Sequence, residues 1–369
     1  MSFTRTLFFV GLLPLATSST ACILDPGTAD TEEPALAILG GTAHDLSAMT
    51  VEVLLTADDG LDVPRDLALH PENRDELWIV NEGDSSVTIA FALGSSSQVA
   101  DKRTAPGNTH FMPRPSALAF GDNGFMATAH EEDQITQPTT PADFMGPTLW
   151  TSDEATFDGG HASHMDMMHN SPAAMGIAWE RDNAYWVFDG HHASITRYDF
   201  GDDHGPGGSD HSDGVVERAV EGEVERVPGV PSHLELDHDT GLLYVADTGH
   251  HRIVAIDTAS GVAGRSIGPN YDGGIQRYRD DVTLTVVAES DGEEIFLQEP
   301  SGLALHDGLI FVSDFASGEI QAFEKDGTPR GFLQTELEDA LMGIEFDDEG
   351  RLLVIDSAGQ RVLRLSPKS

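Results

Sequence analysis

Short apolar runs and turn residues alternate along most of this chain, and one stretch shows the rule most plainly. In EPSGLALHDGLIFVSDFASGEIQAF an apolar run at residues 303–305 is followed by the pair Asp307-Gly308. Then come Leu309-Ile-Phe-Val-Ser313 and Asp314, and six residues further Ile320 opens a third run that ends at Phe323. Asp-Gly between alternating apolar runs predicts a hairpin with a two-residue turn. The same step recurs. Tyr-Val-Ala-Asp247 precedes Ile253, Trp-Val-Phe-Asp189 precedes Ile195, Leu-Val-Ile-Asp356 precedes Val362, and Trp-Ile-Val-Asn81 precedes Val87. A weaker copy, Met-Ala-Thr-Ala129, precedes Ile135. Six copies of one spacing predict a repeat protein.

Each copy opens on an apolar phrase: PRDLALH at Pro64, PSALAF at Pro115, PAAMGIAW at Pro172, PSHLELD at Pro231, PSGLAL at Pro300 and LMGIEF at Leu341. One such unit is a small antiparallel sheet that cannot bury both faces alone. Radial packing covers those faces and leaves only short edges, which is the logic of a β-propeller. The phrases resemble NHL-type repeats over residues 64–365, and the resemblance implies an all-β, six-bladed β-propeller of NHL-like or TolB-like architecture. The alternating stretch at 49–56 (MTVEVLLT) is expected to complete the last blade and so remove an open edge. Propellers of this kind serve as enzymes, binding platforms and scaffolds, so fold alone does not assign a function. The NHL-type amidating lyase carries its zinc histidines in P-H-x-L phrases. Here the matching positions read Pro64-Arg65, Pro115-Ser116, Pro172-Ala173, Pro231-Ser232 and Pro300-Ser301, so that activity is not carried over.

The N-terminal residues follow a different pattern. Residues 1–21 combine Arg5, a short apolar stretch and a small-residue cleavage region, which reads as a signal peptide. Cys22, the single cysteine, stands directly after it, as in a bacterial lipoprotein signal in which that cysteine is acylated. Residues 22–48 lack periodicity and read as a flexible acidic tether, followed by a propeller over 49–369. The expected location is exported and membrane-anchored, in the periplasm or at the cell surface, with simple secretion as the alternative. Membrane attachment would run only through the lipid.

A net charge of −43 excludes nucleic acid as a partner. No serine sits in a strand-turn-helix G-x-S-x-G context. There is no phosphate loop or dinucleotide fingerprint, and no nucleotide cofactor is expected. Chemistry is therefore sought in the spacing of the repeats. The first five openings lie 51, 57, 59 and 69 residues apart, against about 40 to 50 for common blades. The excess falls near 137–171, 200–228 and 268–298, read as loop insertions on a binding face.

The first insertion ends GGHASHMDMMHNSP, where His161, His164, Asp166 and His169 offer nitrogen and oxygen donors among three methionines. The second reads YDFGDDHGPGGSDHSDG and places Asp202, Asp203, His204, Asp210, His211 and Asp213 around a Gly-Pro-Gly-Gly turn. Such donors suit a divalent metal, Zn or Cu through the histidines and Ca through the carboxylates. Two arrangements are open for His164, Asp166 and His169. Either His110 and His233, near the openings of other blades, join His169 at one mouth of the central channel, or the 202–213 loop closes over them. His70, His238 and His306 at blade turns read as turn residues, as do His191, His192, His250 and His251 after second strands. The resulting expectation is a propeller that binds a small-molecule, peptide or protein ligand and a divalent metal. The alternative is a metal-dependent enzyme of lyase or lactonase type, with the metal at the channel mouth.

Overall fold

The computed structural model describes residues 34–104, 108–133, 144–157, 164–290 and 296–368. The signal segment, Cys22 and His161 lie outside the described residues. Strand β1 (Met49–Leu55) comes first in the chain but is placed in the last sheet. The first blade is β2 (Pro64–Leu69), β3 (Leu77–Asn81), β4 (Ser86–Phe91) and β5 (Val99–Arg103). The second is β6 (Pro115–Phe120), β7 (Phe125–His130), β8 (Thr148–Thr151) and β9 (His164–Met167). The third begins with β10 (Ala174–Arg181), β11 (Ala184–Asp189), β12 (Ser194–Asp199) and β13 (Val215–Ala219). The fourth is β14 (Leu234–Asp237), β15 (Leu242–Asp247), β16 (Arg252–Asp257) and β19 (Leu284–Glu289). Between its last two strands, β17 (Val262–Ser266) and β18 (Ile275–Asp280) form a hairpin that leaves the blade. The fifth is β20 (Pro300–His306), β21 (Leu309–Asp314), β22 (Glu319–Phe323) and β23 (Pro329–Gln334). The sixth is β24 (Leu341–Phe346), β25 (Leu352–Asp356) and β26 (Arg361–Pro367), completed by β1.

The protein is a six-bladed β-propeller. Asp307 and Gly308 take φ of 48° and 81°, the pair of positive values that a two-residue I′ hairpin turn needs. Closure is by the expected strand, with Met49 opposite Pro367 and Leu55 opposite Val362. The chain before it is also packed. Leu39 is buried in the core between the fifth and sixth blades, and Leu36, Ile38 and Leu46 lie against it. The stretch read as a tether therefore enters the fold over its C-terminal residues, from Ala35 onward.

The repeated aspartate has a physical reason. Asp189, Asp247, Asp314 and Asp356 end the second strands of their blades, each 2% exposed or less. Each carboxylate accepts backbone N–H groups of nearby turns: His191 and His192 at Asp189, Glu225 at Asp247, Gln298, Glu299 and Ser317 at Asp314, and Gly359 at Asp356. Buried turn donors need such partners, and a carboxylate can satisfy several at once. In the first blade Asn81 takes the role, accepting from the Asp62 N–H.

Four sequence expectations are corrected here. In the second blade the equivalent position is His130, opposite Pro115, and not Ala129. Its third strand is β8 and does not start at Ile135, which lies outside the described residues. The span near 137–171 is thus no plain loop insertion: it holds β8 and β9, the outer half of the blade, plus its connections. Likewise 268–298 contains β18 and β19. The β17–β18 hairpin pairs in parallel with β13, which widens the third blade to six strands.

Cores form between blades. Leu149, Met165 and Met168 of the second blade meet Ile177, Tyr185, Val187 and Phe200 of the third. That junction carries the site described next.

A candidate metal site between the second and third blades

Strand β9 reads His-Met-Asp-Met and is buried throughout. Alternation puts His164 and Asp166 on one side of the strand, and both meet the 200–214 loop. The loop is tied to the strand by two backbone bonds, His204 N–H to the Met165 carbonyl at 3.1 Å and Gly207 N–H to the His164 carbonyl at 3.0 Å. Gly208 lets the loop wrap this closely, because a Cβ there would stand 2.5 Å from the His204 carbonyl oxygen. His211 Nδ1 lies 2.6 Å from Asp166 Oδ1, and the Met167 N–H donates to the same oxygen. The imidazoles of His204 and His211 have ring centres 5.2 Å apart.

One ligand atom from each of Asp166, His204 and His211 falls within 4.8 Å of the others. Among the described residues this is the group of three His, Cys, Asp or Glu side chains that meets a metal's spacing. Asp166 Oδ2 and His204 Nε2 are buried without a hydrogen-bond partner. Leaving buried polar atoms unmatched costs about 1–3 kcal/mol each, so the pair of orphans points to an absent partner. His204 Nδ1 is already engaged with the Gly205 carbonyl at 2.7 Å. A backbone carbonyl on one imidazole nitrogen orients the other as a metal ligand. Burial raises the Asp166 carboxyl above the usual range, while its bond to His211 pulls the other way. That bond raises His211.

The other sequence candidates separate into distinct places. His164 stacks on Phe111 at 3.8 Å and meets His204 edge-on at 5.0 Å, so it walls the site. Asp203, Asp210 and Asp213 accept from loop N–H groups of Gly205, Ser212 and Asp202, which makes them turn caps. The Ser212 bonds hold the Asp210 carboxyl below its usual value. With those carboxylates committed, the donors that converge are two imidazoles and one carboxylate. Such a set suits Zn, Cu or Ni better than Ca.

His169 pairs with Asp272, and its ring centre is 6.3 Å from that of His110. His233 is elsewhere, lining the central channel with Nδ1 3.5 Å from Asp66 and Nε2 3.4 Å from the Ser116 carbonyl. No hydrogen bond, ion pair or ring contact joins it to His110 or His169 among the described residues. The arrangement that the structure brings together is the loop over β9, and not three histidines at a channel mouth. Asp272 went unread in the sequence. Its signal is only a turn-like Asn-Tyr-Asp-Gly-Gly inside the third long spacing.

No family model matches the chain and no curated protein matches it in sequence. Solved structures do match. An auxiliary nutrient binding protein from Bacteroides thetaiotaomicron VPI-5482 aligns with a TM-score of 0.57 at 11% identity, covering 87% of this chain and 77% of that one. One from Bacteroides ovatus ATCC 8483 gives 0.56 at 13% identity with the same coverage. A luciferin-regenerating enzyme gives 0.52 at 12% identity, covering 86% of this chain and 95% of that one. The likeness is one of fold.

The central channel of the propeller has its own chemistry. A cavity of about 220 Å³ is lined by Asp66, His233, Glu235 and Glu345 among apolar residues. Glu235 keeps surface open to the channel, yet desolvation by the surrounding channel wall, with Glu345 and Asp66 nearby, pushes its carboxyl up to about 8. Burial pushes Glu345 up to about 7, against the opposing pull of Arg74. Burial raises Asp66 too, and His233 counters it. Both glutamates therefore keep a proton in the fold at pH values where the unfolded chain, near 4.5, has lost it. Unfolding then releases protons, so stability is full below that value and falls as pH rises towards about 8. The double variant Glu235→Gln/Glu345→Gln should flatten the decline of melting temperature between about pH 5 and 8. An unchanged slope would refute this account.

Proposed function

We propose that this protein is an exported propeller that holds a divalent transition-metal ion at the junction of its second and third blades and uses that face to bind a ligand. The observation that carries the reading is the convergence of Asp166, His204 and His211, with Asp166 Oδ2 and His204 Nε2 buried and unmatched. Export rests on the signal-like residues 1–21, and lipid anchoring on Cys22 directly after them. A nutrient-binding role, as named for two proteins of this fold, agrees with a ligand-binding surface. The ligand is a small molecule, peptide or protein able to reach a partly exposed metal.

A second reading has one observation in its favour. Three protein donors leave a coordination position open, as catalytic zinc requires, so a metal-dependent lyase or hydrolase is the alternative. The two readings share the same ligands and differ in what fills the open position.

The test is metal binding by the purified protein. Zn²⁺ should raise the melting temperature, because an ion at a hundred times its Kd adds about 2.7 kcal/mol of stability. Chelator should reverse the gain, and His204→Ala should shrink both shifts while the far-ultraviolet spectrum stays that of a β protein. Equal shifts in wild type and His204→Ala would reject the site.

A further inference from the structure

Beside the triad lies a second cluster that the proposed function does not use. His169 is 6% exposed and bonded twice to one carboxylate: its Nδ1 lies 2.6 Å from Asp272 Oδ1, and its backbone N–H donates to Oδ2 at 3.1 Å. The carboxylate is itself fixed, since Gln276 Nε2 donates to Oδ2 at 2.9 Å and Asn170 holds Gln276. Because a carboxylate accepts, the Nδ1 proton of His169 points to Asp272 and the lone pair sits on Nε2. That nitrogen is buried and has no hydrogen-bond partner. Phe144 stacks on the ring at 4.1 Å and Tyr271 lies 5.7 Å away. Two aromatic rings thus pack against the imidazole, and an unmatched buried nitrogen among them is costly unless something occupies it.

The second observation is the facing ring. His110 and His169 have ring centres 6.3 Å apart with planes inclined by 35°. A histidine nitrogen stands about 2.0–2.1 Å from a bound metal, so two imidazoles on one ion have centres about 5 Å apart at a tetrahedral angle and roughly 6 to 6.5 Å apart when their nitrogens stand nearly opposite across it. The observed separation is that of two nitrogens nearly opposite across one ion, an arrangement that tetragonal Cu²⁺ or Ni²⁺ accepts. A carboxylate on Nδ1 with a bare Nε2 is also the pattern that orients a metal-ligating histidine and raises its basicity. The neighbouring His130 is no competitor. Its nitrogens are bonded to Thr128 Oγ1 and the Gly146 carbonyl.

We infer that His169, positioned by Asp272 and faced by His110, forms a second transition-metal site of its own, separate from the Asp166–His204–His211 group. Imidazole donors select a borderline ion such as Zn²⁺, Cu²⁺ or Ni²⁺, and not Ca²⁺. With two protein ligands the ion keeps positions open to solvent or to a ligand's own donor atoms.

The experiment is a count of ions. The purified protein is stripped with chelator, loaded with Zn²⁺ in excess Ca²⁺ to occupy surface carboxylates, desalted and analysed for zinc. Wild type should hold about two equivalents, His169→Ala and His204→Ala about one each, and the double variant almost none. His110→Ala, altered at a less buried position, should also lose one and guards against a folding defect in His169→Ala. A wild type with one equivalent that His204→Ala abolishes and His169→Ala retains would overturn the second site and leave the first standing. The reverse pattern would support the second site and reject the first. A wild type with one equivalent that either variant abolishes would show one shared ion and would likewise overturn the inference.

Discussion

A chain that starts at Thr56, lacking β1 and the segment before it, should unfold well below the intact protein and should self-associate. Met49, Leu54 and Leu55 are between 0% and 6% exposed, and each sits in a core shared with another blade. Burying such side chains contributes about 1.5–3 kcal/mol apiece, so the three account for roughly 5–9 kcal/mol. Whole domains are stable by about 5–15 kcal/mol, which makes this one strand decisive. Its loss also bares the backbone of β26, now an unpaired edge of the kind that recruits other chains. Thermal unfolding and size-exclusion chromatography measure both effects. A monomeric truncated protein with an unchanged melting temperature would contradict the closure argument.

Asp189→Ala should be nearly as damaging, and the comparison with Asp356→Ala explains why. Asp189 is fully buried, accepts the His191 and His192 N–H groups and Ser171 Oγ, and lies 3.7 Å from the Arg218 guanidinium. Arg218 is 5% exposed and donates onward to the Asn170 carbonyl. Removing one member of a buried charge pair costs about 3–5 kcal/mol, and among the described residues Arg218 would keep only Glu221, at 3.3 Å and with a side chain 41% exposed, to balance its charge. Asp356 holds the same repeat position, but its arginine, Arg361, has a side chain that is 40% exposed. There the freed cation returns to solvent, and the loss should stay nearer the cost of the lost turn bonds, about 1–2 kcal/mol. Chemical denaturation of the two variants tests the ranking. Equal losses at both positions would show that burial of the arginine does not matter.

The difference between these aspartates marks what the sequence can carry. The spacing from Asp189 to Ile195 or from Asp314 to Ile320 is local, because a carboxylate at a strand end caps the turn that follows it. Hairpin, blade number and closing strand all follow from such short-range signals. Strand β9 does not. Its His-Met-Asp-Met alternates polar and apolar residues, but four residues with no β-branched side chain are too short a run to predict a strand. The site has the same difficulty. Asp166 and His211 are 45 residues apart, and His169 and Asp272 are 103 apart. Donor density points to the stretches around 164–169 and 202–213, and three-dimensional packing brings the 200–214 loop against β9 and leaves the channel-mouth histidines apart. Asp272 is marked only as a turn residue, since its partner belongs to a different repeat.

The β17–β18 hairpin has a consequence for how such a chain can be divided. It lies in the sequence of the fourth blade, yet its hydrogen bonds are to β13 of the third. A unit cut out at Pro231 would carry the hairpin away from the sheet that it completes, and with it Asp272 from His169. The third and fourth blades can therefore be duplicated, exchanged or circularly permuted only as a pair.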